Sequence, residues 1–128
     1  MQRSFVIVIL FILISLSQAF GGKILSQTAN QVYHLSEEMV SHGAEGHLHE
    51  IVDYGGKMIN EIDKLSHNLK REKRSDQKVL EKGIQAARDK AKEAIRFAKQ
   101  GNLSASLASA KSASFHAKKI RQGLHQDN

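Results

Sequence analysis

Cysteine, proline and tryptophan are missing from this chain of 128 residues, and aromatic side chains make up only 5% of it. Without cysteine there can be no disulfide framework and no lipid attached through a thiol, so stability has to come from packing. Without proline the chain lacks the strongest interrupter of helices. Few aromatics leave little of the bulk from which strands are usually built. Alanine, lysine, leucine and glutamate fill the space instead, and that composition predicts an all-α protein. Catalytic signatures are missing too: there is no glycine-rich phosphate loop, no HExxH spacing and no serine with an obvious partnered base. A di-iron bundle would need Glu-x-x-His, yet Glu38 is followed three residues on by Ser41 and Glu45 by Leu48. The expectation is a protein that is not an enzyme.

The first nineteen residues stand apart from the rest. Arg3 precedes an apolar run from Phe5 to Leu16 that only Ser15 interrupts, and Ser17-Gln18-Ala19 supplies small residues where a signal peptidase reads. The run is shorter than the roughly 20 apolar residues that cross a bilayer. A cleaved secretory signal over residues 1–19 is therefore expected, with a periplasmic or secreted domain from Phe20 to Asn128. A domain of that length buries roughly 60 to 70% of its unfolded surface and folds alone.

Three stretches follow helical three-four spacing: Leu48, Val52, Gly55, Met58 or Ile59, Ile62, Leu65 and Leu69; Leu80, Ile84, Ala87, Ala91, Ala94 and Ala98; and Leu103, Leu107, Ala110, Ala113 or Ser114, Ala117, Ile120 or Arg121, and Leu124. Leu25, Val32, Leu35 and Met39 mark an earlier helix. Gly46 and Gly101 sit where helices end in a left-handed residue, and Asn102 and Ser75 or Asp76 are available as caps. Two helical hairpins result, about 25–68 and 76–124, joined by the basic linker 68–76. Together they predict an up-down-up-down four-helix bundle, and four seams suffice to enclose a core in a monomer. A shift of 55 residues lays Glu38 on Glu93, Gly46 on Gly101, Leu48 on Leu103 and Leu69 on Leu124. Duplication of one hairpin, or independent construction to the same rule, accounts equally well for these matches.

Charge divides the halves. Phe20 to Asn68 holds three lysines against seven acidic residues, whereas Leu69 to Asn128 holds fifteen basic against six acidic. The first half favours cations. The second favours an anionic envelope surface or an acidic partner, or is simply a solvated basic face; nucleic acid is not an expected ligand.

Four of the seven histidines fall between His34 and His49, in HLSEEMVSHGAEGHLHE. His34, Glu38 and His42 are spaced by four and share a helix stripe, with Glu45 three residues beyond. His47 and His49 open the next helix, with Glu50 beside them. Imidazole and carboxylate donors gathered on both arms of one turn suit a borderline divalent ion, copper most of all, nickel or zinc also. The expected centre is His42 with His47; Glu45, Glu38, His34 and His49 are candidates for the remaining positions. Taken singly, His42 also reads as a cation completing a helix C-terminus and His47 as a cap.

The segment EEMVSHGAEGHLHEIVDYGGKMINEIDKL resembles the small metal-binding proteins of the bacterial periplasm. Their helical unit repeats an apolar pair, a histidine, a glycine, an acidic residue, a glycine and a histidine; Val40, His42, Gly43, Glu45, Gly46 and His47 match it. The resemblance implies an exported monomeric four-helix bundle that scavenges or buffers divalent metals, copper foremost. It is good from about Glu37 to Leu65 and weak elsewhere. Where the family carries further histidines, this chain has Phe97, Asn102 and Ser104 opposite His42, His47 and His49. One equipped hairpin is therefore expected.

Overall fold

The structure is a computed structural model that describes the backbone of residues 2–125 and the side chains of residues 20–125. The expected leader, residues 1–19, lies outside the residues whose side chains are described. Four helices and no strand occur among the described residues: α1 Gln2–Ala44, α2 Leu48–Lys70, α3 Gln77–Lys99 and α4 Leu103–His125. Each packs on its neighbour in sequence, α4 returns to α1, and α2 also touches α4 across the diagonal. This is the up-down-up-down four-helix bundle. Among the described residues no helix is long and apolar enough to cross a membrane.

The helices form because their apolar residues recur on one side. On α3 the buried set is the one the spacing predicts, Leu80, Ile84, Ala87, Ala91, Ala94 and Ala98. The start of α2 differs from the pattern. Leu48 and Val52 are half-buried, and Ile51 takes the inner place. The cause lies in the turn before it: a side chain at Gly43 would stand 3.1 Å from Ile51 Cδ1 and 3.0 Å from Leu107 Cδ1, so Gly43 opens the room that Ile51 fills. On α4, Leu103 is exposed and Leu107 half-buried, while Ser106 and Ser109 are buried. Ser106 satisfies its hydroxyl by donating to the carbonyl oxygen of Ala94 at 2.8 Å, which lets a small polar residue stand where the helices approach closely. Gly55 serves the same close approach, because a Cβ there would lie 2.7 Å from Ile95 Cγ1.

Both hairpin turns are built alike. Gly46 and Gly101 have φ of +85° and +74°, the left-handed conformation that costs glycine little. His47 N–H donates to the His42 carbonyl at 2.9 Å and Gly46 N–H to the Gly43 carbonyl at 3.1 Å. The second turn repeats these bonds 55 residues on, Asn102 to Phe97 at 2.9 Å and Gly101 to Ala98 at 3.0 Å. Each is a Schellman cap, whose six-to-one and five-to-two bonds occupy the last helical carbonyls. Asn102 also caps α4, accepting from the Ala105 N–H at 3.1 Å. The two turns lie at one end of the bundle, Leu103 reaching within 3.9 Å of where a Gly46 side chain would begin.

At the other end, α2 runs on to Lys70 and α3 opens at Gln77, which narrows the break to residues 71–76. Asp76 occupies the cap position of α3 but makes no side-chain cap bond. Its carboxylate is held instead by Arg74, Nε at 2.9 Å and Nη2 at 3.0 Å.

Two stability predictions follow from this geometry. Gly46→Ala should cost about 1–2 kcal/mol in urea unfolding because alanine resists positive φ, whereas Gly56→Ala, mid-helix with open space around it, should add about 0.5–1 kcal/mol; equal effects would refute the assignment of the turn. The hydrogen bond from Arg74 holds the Asp76 carboxyl below its ordinary range. The stability this contact supplies is therefore present above the ordinary carboxylate pKa and lost as pH falls through the lowered folded value. Arg74→Gln should raise the Asp76 titration seen by NMR; an unmoved titration would assign the shift to another group.

Candidate metal centre

The Schellman cap sets the site. Its bonds bring the third residue from the helix end beside the second residue past it, a pair that ordinarily makes an apolar contact. Here those positions are His42 and His47, and their ring centroids stand 5.9 Å apart. Residue 50 follows His47 by three, so it points back over the same turn from the first turn of α2. It is Glu50.

These three residues form a group whose donor atoms all lie within 4.8 Å of one another, and it can hold a metal ion. His42 Nδ1 and Glu50 Oε2 face each other directly. Both atoms are buried, and beyond this mutual contact neither has a hydrogen-bond partner. His47 Nδ1 lies 3.5 Å from the same Glu50 oxygen. Glu45 Oε2 completes the outline, 3.3 Å from His47 Nδ1 and 3.9 Å from His42 Nδ1. Donors on a tetrahedral ion with bonds of about 2.1 Å sit roughly 3.4 Å apart. The His47 contacts to both carboxylates already have that spacing.

Around this set the other residues take supporting positions. The Tyr54 ring stacks on His42 at 5.1 Å with an interplanar angle of 10°, fixing the imidazole plane. Glu38 does not reach the inner atoms; its Oε2 lies 3.6 Å from His42 Nε2, on the outer edge of the ring. That is where a carboxylate orients a ligating histidine and favours the tautomer that frees Nδ1. His34 is 63% exposed and meets Glu38 at 3.8 Å, one helical turn farther out. His49 is 79% exposed and approaches the other oxygen of Glu50, Oε1, at 3.7 Å. Of the six residues singled out by spacing, the turn gathers His42, His47 and Glu45; Glu38 stands behind His42, and His34 and His49 lie at the periphery. His47 sits at the cap position of α2 without a side-chain cap bond, whereas His42 does lie in the last turn of α1.

Glu50 is the residue that sequence spacing passed over. Its signal was its place three residues after His47, where a glutamate commonly reaches back over a helix start. The second turn contains no such set: Phe97, Asn102 and Ala105 occupy the places of His42, His47 and Glu50. No protein-family model matches this chain, and no curated protein matches it.

The outer position of Glu38 makes a prediction. Glu38→Gln should weaken Cu(II) binding about 10- to 100-fold, read from quenching of the stacked Tyr54 fluorescence. An unchanged titration would remove Glu38 from the site.

Proposed function

We propose that this chain is an exported protein that sequesters or buffers divalent transition metals, copper foremost, by binding and not by catalysis. The observation that carries the reading is the convergence of His42, His47 and Glu50 at one turn, where a donor atom of each lies within 4.8 Å of the others. Two imidazoles with a carboxylate suit Cu(II), Ni(II) and Zn(II), and among them the general order of affinity places copper first. Export is supported by the charge and apolar pattern of residues 1–19, and a buffering role by the small, partly solvent-facing donor set.

Calorimetric titration of the purified protein with Cu(II) at pH 7.5 tests the proposal. Binding should saturate at one ion per chain and should weaken toward pH 5 as protons compete for imidazole. Replacing His42 and His47 together by alanine should lower affinity at least a hundredfold. A stronger test uses the matching turn: Phe97→His with Asn102→His and Ala105→Glu should raise the stoichiometry from one ion to two. Binding that survives the double alanine variant, or no binding in the parent protein, would overturn the reading.

A further inference from the structure

In a ring of helices ordered α1-α2-α3-α4, the outer face of the second hairpin lies across the bundle from the groove between α1 and α2. That hairpin is predominantly basic. α4 holds Lys111, Lys118 and Lys119 and no acidic residue; its Arg121 lies over the Tyr33 ring, on the side toward α1. On α3, three acidic residues are interspersed among seven basic ones, and Glu93 is already engaged by Lys90 at 2.9 Å.

Two large apolar side chains stand out among these cations. Val79 is 73% exposed and Phe115 54% exposed, one on each helix of the pair. Between the helices runs a shallow depression of about 220 Å³, which Val79 and Lys119 border and which exists because Gly83 and Gly123 carry no side chain. A pocket for a small molecule usually has at least about 300 Å³. Val79 protrudes at the rim of this slight hollow, which Asp76 and His116 also line, and Phe115 protrudes from α4 beside Lys119. Lys119 Nζ sits 4.6 Å over the Phe115 ring, its aliphatic stem along an apolar surface and its charge at the edge.

Protruding apolar side chains ringed by lysines complement a flat interface with acyl chains beneath negative headgroups. A peptide would need a longer and deeper groove to seat its anchors. We propose that the outer face of the α3–α4 hairpin docks on an anionic lipid surface, with Val79 and Phe115 entering the headgroup layer and the lysines meeting lipid phosphates. Docking in this way turns the α1–α2 groove toward water. The inference is independent of whether the turn at His42 holds a metal.

The chain has no cysteine, so a single introduced thiol can carry an environment-sensitive fluorophore. The full chain is labelled at Ser112→Cys, one turn from Phe115, and separately at Asn60→Cys, exposed on α2. Each is mixed with vesicles of phosphatidylcholine alone or of phosphatidylcholine and phosphatidylglycerol. The label at 112 should shift to the blue only with the anionic vesicles. Raising salt from 50 to 500 mM should reduce binding at least tenfold, and the label at 60 should not respond. Val79→Ser with Phe115→Ser should abolish the shift at 112. Equal shifts at both positions, as insertion of the leader alone would give, would overturn the proposal. So would no shift at 112, a shift that survives the double serine variant, or a response to an acidic peptide but not to vesicles.

Discussion

The left-handed glycine that closes each hairpin is the constraint on which the rest depends. At Gly46 the chain reverses within two residues, and the hydrogen bonds that cap α1 bring the residues either side of the reversal into register. The cap satisfies the backbone, fixes α2 antiparallel to α1, and places two imidazoles together. The candidate donors gather because a structural motif needed for folding already holds their backbone. At Gly101 the same backbone supports Phe97 and Asn102, which have no such chemistry. The difference between the turns lies in side chains alone.

Much of this was legible in the residues. The alanine seam of α3, the glycine stops and the capping by Asn102 are local effects, each set by a few neighbouring residues and by helical periodicity, so spacing predicts them. The start of α2 was less legible because a long-range contact decides it: Ile51 displaces Leu48 and Val52 in the core since Gly43 leaves a space shared with Leu107, half a chain away. The donor set was legible in part for a related reason. A count along one helix stripe joins His34, Glu38 and His42, but the cap rotates the next helix so that Glu50 faces inward and Glu38 stays outside. Stripe arithmetic treats helices as separate rods, and the turn makes them one object.

Charge follows the same division into hairpins. The acidic first half surrounds the histidines with carboxylates, which favours cations, while the second half gathers lysine and arginine on α3 and α4. One charged contact that crosses between the halves joins Arg88 to Asp63 at 2.6 Å. Being exposed, that pair contributes little to stability. Apolar packing joins the halves, and electrostatics keeps their surfaces distinct.

The ring of helices closes where α4 returns to α1, the seam that joins residues farthest apart along the chain. Closing so long a loop carries the largest entropic cost of any contact in the bundle. The donors at the first turn lie between residues 42 and 50, and none of them is supplied by α4. A molecule breathing open along it would keep its grip on whatever the turn holds, so occupancy and global opening can proceed as separate events.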